Sequence, residues 1–240
     1  MDRIANVDVA KQSWKEALDT NNLAYLRNLI EEGIVVDVDY QPKAGSRWNY
    51  STQKSEPTYK DQALIRVLDP EFASSKEQEK FAEILMKKYK ANPDLRGSQY
   101  TPLEKAALTG RLEIVKKMIN YITKLKKTTT SKVFSCAIKG GFDEIIEYLV
   151  EEEINTDKDD KGDTVLMFVL RSTDLNVWKK LDTIKMLLKS ENVRKNINES
   201  YNHESAFGIA NKKKMTSKNY YESKGWEKIV SVLTKAGAKM

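Results

Sequence analysis

The sequence predicts an all-α fold assembled by repetition, a helical solenoid. The stretch Tyr100–Ile119 reads as two short helices joined by a tight turn. Weaker copies of it recur in order along nearly the whole chain. A hydrophobic fraction of 40% with 32% charged residues supplies a packed core under a well-solvated surface.

Local chemistry explains the stretch. Thr101 is a good N-cap, and Pro102 fits the first helical position, where no N–H is needed. Thr101 and Glu104 have capping-box spacing. Leu103, Ala106 and Ala107 form a small-sided apolar stripe, and Gly110 ends the helix where left-handed backbone costs least. Leu112, Ile114, Val115, Met118 and Ile119 then mark a second amphipathic helix. Two helices this short cannot bury their own apolar faces, so copies must stack.

The copies can be read off the chain. Phe134-x-x-Ala137-x-x-x-Gly141 precedes Ile145, Ile146, Leu149 and Val150, and Leu166-x-x-Val169 precedes Thr183, Ile184, Leu187 and Leu188. Phe207-x-x-Ala210 precedes Ile229, Val230, Leu233 and Gly237. Upstream, Trp14-x-x-Ala17-x-x-x-Asn21 leads to Leu26, Leu29, Ile30 and Gly33, and Leu64-x-x-Val67 leads to Phe81, Ile84 and Leu85. With Thr101-Pro102-Leu103-Glu104-Lys105-Ala106, this pattern resembles the ankyrin repeat family and its T-P-L-H-x-A signature. The resemblance implies an ankyrin-type solenoid of six degenerate repeats with finger loops along one edge. Where that family often has His, this chain has Glu104, which keeps the cap but not a bridge to neighbouring repeats.

In chain order the expected repeats cover residues 8–38, 59–94, 95–126, 127–157, 158–197 and 198–240, with insertions at 39–58, 174–182 and 211–225. In repeat one, Lys11, Gln12 and Lys15 suit a solvated end, and Gly33 closes the second helix. Insertion 39–58 lacks helical periodicity and carries Arg47, Trp48 and Tyr50, the composition of interface anchors; Trp48 packing under its own loop is the alternative. In repeat two, Asp69-Pro70 stops the first helix and Ser75-x-x-Gln78 caps the second. Thr128 to Ser131 read as a short polar loop. Asp160 to Thr164 open repeat five with turn-then-cap chemistry, and Val177, Leu181, Ile184 and Leu188 predict an outer helix lengthened by a turn or more, with Trp178 lining core or groove. In repeat six the insertion separates two helices, the last over residues 226–235 with Gly237 as its cap.

The formal net charge of +6 is segmented. Residues 143–163 hold ten acids against Lys158 and Lys161, whereas 171–240 hold fifteen Lys or Arg against seven acids. This alternation suits electrostatic steering of a complementary partner, or simply a solvated surface. Lys212, Lys213, Lys214, Lys218, Tyr220 and Tyr221 form the best candidate for binding nucleic acid or another polyanion, because a basic cluster is followed by stacking aromatics. The acidic belt argues against a continuous track for a phosphate backbone.

Catalytic signatures are sparse. His203 and Cys136 are the single histidine and cysteine, placed two repeats apart, which disfavours a nucleophile–base pair. No Cys/His spacing suits zinc and no phosphate-loop motif occurs. Glu151-Glu152-Glu153 read as solvation, since consecutive helical residues point different ways. The single cysteine predicts a reducing compartment, and no run has signal-peptide or membrane-spanning character. The expectation is a cytoplasmic monomer, or one delivered to a host cytosol or nucleus, with no cofactor, no metal and no membrane partner. The family resemblance implies a non-catalytic module (adaptor, inhibitor or effector) binding a protein through fingers and inner helices. By position it selects Arg96, Ser98, Gln99, Tyr100 and Lys105, then Lys161, Asp163, Tyr201, His203 and Glu204. Nucleic acid is the second choice of partner.

Overall fold

The computed structural model describes residues 2–49, 54–122, 127–154 and 162–239. The chain is mostly helical and divides into two compact units, Met1–Ala106 with Glu113–Thr123, and Ala107–Leu112 with Lys124–Met240. No helix among the described residues is long and apolar enough to cross a membrane.

In the first unit, α1 (Asp2–Asp19) packs on α2 (Leu23–Glu31), burying Trp14, Ala17, Leu18, Leu26, Leu29 and Ile30. α1 begins well before residue 8, where the first repeat was expected to start. The insertion over 39–58 is not an open loop: β1 (Lys43–Asn49) and β2 (Lys54–Tyr59) form an antiparallel hairpin. Pro57 is tolerated there because a two-stranded sheet has only edge strands. Its base is tied down by Gln41, whose Nε2 donates to Gln62 Oε1 (3.1 Å) and to the Arg96 carbonyl (2.6 Å). α3 (Ala63–Arg66) ends before Asp69-Pro70, as expected. α4 (Ser75–Lys87) is capped one residue earlier than the sequence suggests. The capping box is Ser74 with Glu77, and Gln78 is instead buried and donates to the Asp69 carbonyl at 2.6 Å.

The Thr101–Glu104 box that opens α5 (Pro102–Leu108) is formed: Thr101 N–H donates to Glu104 Oε2 (3.0 Å) and Glu104 N–H to Thr101 Oγ1 (3.2 Å). Gly110 is left-handed, and α6 (Leu112–Tyr121) buries Ile114, Val115, Met118 and Ile119.

The second unit contains α7 (Lys127–Gly140), α8 (Asp143–Glu151), α9 (Val165–Arg171), α10 (Val177–Leu187), α11 (Glu191–Lys195), α12 (Ala206–Met215) and α13 (Tyr220–Lys235). α7 pairs with α8, α9 with α10 and α12 with α13. The leading helices also touch in a row, α7 on α9 and α9 on α12, while the trailing helices form a second row, α8 on α10 and α10 on α13. A short hairpin, β3 (Ser200–Tyr201) with β4 (Glu204–Ser205), precedes α12.

Three sequence expectations fail here. Thr128–Ser131 are helical, because extending a formed helix through Ser or Thr costs only about 0.5 kcal/mol per residue. Residues 211–225 are mostly helix: α12 runs to Met215 and α13 starts at Tyr220 rather than 226, with the Asn219 side chain capping Glu222 N–H at 2.9 Å. Gly225, the last residue of that expected insertion, lies inside α13, where a Cβ would stand 2.6 Å from the Val177 methyls of α10. The expected lengthening of α10 by a turn or more is not found either: capped at Asn176, it has 11 residues against 10 in α6 and 9 in α8.

The same terminator closes many of these helices. At Asn21, Gly33, Gly141, Glu153 and Gly237 the backbone is left-handed. The next N–H reaches back five residues, from Asn22 to Ala17, Ile34 to Leu29, Phe142 to Ala137, Ile154 to Leu149 and Ala238 to Leu233, at 2.8–3.1 Å. Glu153 is the exception in residue type, since a left-handed non-glycine residue costs about 1–2 kcal/mol. Its carboxylate compensates by accepting from Ser190 Oγ and Glu191 N–H, both at 3.0 Å, at the start of α11. Glu153 is thus a cap, not one of three solvating acids.

Gly225→Ala is expected to destabilise by about 1–3 kcal/mol from overpacking, even though Ala favours a helix over Gly by about 1 kcal/mol. Val177→Ala in the same chain should recover most of the loss in a urea-unfolding double-mutant cycle. A Gly225→Ala variant more stable than the parent would contradict this close approach.

Candidate functional site

The site with the most unusual electrostatics centres on α10. Asn176 caps that helix by accepting from Trp178 and Lys179 N–H, both at 3.0 Å. This sets the phase so that Val177, Lys180, Leu181, Ile184 and Leu187 all face inward. Lys180 is therefore carried into the interior on an apolar stripe and is only 6% exposed. Its Nζ donates to the Leu170 carbonyl at 3.0 Å, near the C-terminus of α9, where the helix dipole favours a cation. The ammonium also stands 5.2 Å from the centroid of the Trp226 ring on α13. Among the described residues no carboxylate pairs with it. Burial, assisted by the like charge of Lys213, lowers its pKa from 10.5 to about 8.

Lys180 and Trp226 lie at the bottom of a cleft of about 950 Å³. Its sides are the α9–α10 turn (Ser172–Asn176) and the α12–α13 link (Thr216–Asn219), with Lys213, Lys218, Tyr221 and Glu222 around the rim. Arg171 lines it too, but is committed elsewhere: it pairs with Asp163 and lies 3.1 Å from Glu204, which also holds Lys212 at 3.1 Å. Hydrogen bonds from Lys212 and Arg171 keep the Glu204 carboxyl below its ordinary range. A groove of about 490 Å³ in the first unit differs in kind. There Lys87 and Lys117 are both spent on Glu83, at 2.6 and 2.8 Å, and hydrogen bonds from the two lysines hold that carboxyl down to about 2.

The residues expected to bind a partner are placed as follows. Arg96, Gln99 and Tyr100 share one turn: Gly97 N–H donates to the Tyr100 carbonyl (2.9 Å) and Arg96 Nη2 to the Gln99 carbonyl (2.7 Å). Arg96 and Gln99 are exposed and Tyr100 is half-buried. Lys105 is half-buried beside Asp69 at 3.4 Å, and Asp163 is bound into the Arg171 network, so both have internal work. Tyr201 and His203 project from the β3–β4 hairpin, whose turn residues Asn202 and His203 are left-handed. The Tyr201 ring covers Gly162 so closely that a Cβ there would meet it at 2.4 Å. Arg47 and Trp48 lie on β1, opposite Glu56 and Ser55, and their side chains are outside the described residues, as are Tyr50 and Lys161.

The basic run is split by helical phase, since successive residues turn by about 100°. Lys212 pairs with Glu204, Lys213 faces the cleft and Lys214 is exposed away from its lining. Lys218 joins the cleft, while Tyr220 and Tyr221 are 77% and 64% exposed. Trp178 is half-buried, with the Tyr221 ring 5.3 Å away and Lys228 Nζ 4.9 Å from its centroid, and it is not among the residues that line the cleft. Sequence reasoning missed Lys180. The signal was available, because Lys180 falls at the i+3 position of the stripe that begins at Val177.

No protein-family model matches this chain, and no curated protein matches it significantly.

The buried ammonium has a pH signature. The folded pKa lies below the ordinary value, so the penalty is full below about pH 8 and disappears as pH rises toward 10.5. Relative to Lys180→Met, the parent protein should gain about 2 kcal/mol between pH 7.5 and 9.5 in urea unfolding. A pH-independent difference would mean that the ammonium is solvated.

Proposed function

We propose that this chain is a non-catalytic protein-binding module of ankyrin type, acting in the cytoplasm as an adaptor, inhibitor or effector. The observation that carries the reading is the paired arrangement of α7 to α13, with leading helices in one row and trailing helices in another. Such stacking suits a solenoid whose loops are free to vary. The recurring left-handed terminators and the Thr101-Pro102-Leu103 cap support the same class. In the second unit the contact surface would be the β3–β4 tip, where Tyr201 and His203 are exposed; in the first unit, taken by itself, it would be the Arg96–Tyr100 turn. Aromatic side chains on short ordered loops make good anchors, because little entropy is lost on binding.

A second reading, binding of a nucleic acid strand, is favoured by the exposed Lys214, Lys218, Tyr220 and Tyr221.

Affinity capture from the native source lysate separates the two, run with and without nuclease. The expected outcome is a stoichiometric protein that survives nuclease and whose recovery falls at least tenfold with Tyr201→Ala/His203→Ala. Recovery that collapses on nuclease treatment would replace this reading with the second.

A further inference from the structure

We propose that the cleft between the α9–α10 turn and the α12–α13 link binds a small ligand bearing one phosphate- or sulfate-type anionic head, which ion-pairs with Lys180. A buried ammonium is costly unless paired, and no carboxylate among the described residues pairs with this one. Among the described residues, one of its three N–H donors is used, on the Leu170 carbonyl. An arriving anion would occupy the others. Further positive potential converges on the same space. Lys213 and Lys218 line the cleft, and the N-terminal ends of α10 and α13 reach it through Asn176 and Asn219. Trp226 and Tyr221 offer an apolar wall for the rest of the ligand.

Two carboxylates, Asp174 and Glu222, line the same cleft. They would repel the successive phosphates of a strand, so the cleft suits one anionic head rather than a polymer. Capping of α9 by Lys180 alone would account for the hydrogen bond, but not for the uncompensated charge at an open cleft. This site is independent of the protein-binding reading, and either can fail without the other.

The test is an NMR titration of the full chain with inorganic phosphate at pH 7.5, with ionic strength held constant by chloride. Saturable amide shifts are expected around residues 171–180 and 216–222. Lys180→Met, whose apolar chain keeps contact with Trp226, should weaken binding at least tenfold. Lys213→Gln should weaken it severalfold, and Lys214→Gln should leave it unchanged. Shifts that do not saturate, or that persist undiminished in both Lys180→Met and Lys213→Gln, overturn the proposal. A single-stranded oligonucleotide is titrated in parallel. Binding tighter than phosphate, and weakened equally by Lys213→Gln and Lys214→Gln, would assign these lysines to a surface track and also overturn it.

Discussion

Short helices that cannot bury their own faces constrain everything else here. A helix of seven residues, such as α5 or α9, has little intrinsic stability and persists only when its apolar side is covered. Coverage depends on reversing the chain within a few residues. The left-handed terminators do this at Asn21, between α1 and α2, and at Gly141, between α7 and α8, each closing its helix with a bond back over five residues. That turn satisfies orphan carbonyls while bringing the next helix against the last. Where the terminator is not glycine, something offsets the strain. Asn tolerates the conformation, and Glu153 turns its side chain into a cap for α11.

Charge is handled differently across the molecule. In most places cations and carboxylates neutralise one another locally, as in the chain Asp163, Arg171, Glu204 and Lys212. Such pairs orient side chains more than they stabilise, since half-exposed pairs contribute about 0–1 kcal/mol. Lys180 breaks this pattern. It is buried by the helix that carries it, satisfied by one carbonyl and one ring face, and left without a counter-ion among the described residues. A local departure from the general economy of charge is the usual mark of a place that binds something.

Much of the helical content was legible because caps and periodicity are local. The Thr101–Glu104 box, the Gly110 turn and the inward stripe of α6 follow from residues three or four apart. Local signals failed where one residue type serves two ends. The insertion expected to end at Gly225 is largely helix, and the glycine there admits Val177 of a neighbouring helix. Ser75-x-x-Gln78 reads as the cap of α4, whereas Ser74 with Glu77 forms it and Gln78 is buried against the Asp69 carbonyl. The basic run at residues 212–214 looked like one feature, but helical phase sends its members to three environments.

By itself the sequence determined the helical class, the positions of most turns and the apolar faces. Those depend on backbone preferences and on spacing along one element. Only the tertiary structure decided what those faces meet. It made a hairpin of the segment around Trp48, extended α13 back to Asn219, and buried Lys180 beneath Trp226 beside a cleft walled by α9, α10, α12 and α13. The physical reason is that burial and unpaired charge are properties of neighbours distant in the chain, and a one-dimensional pattern records only which residues are available to be neighbours.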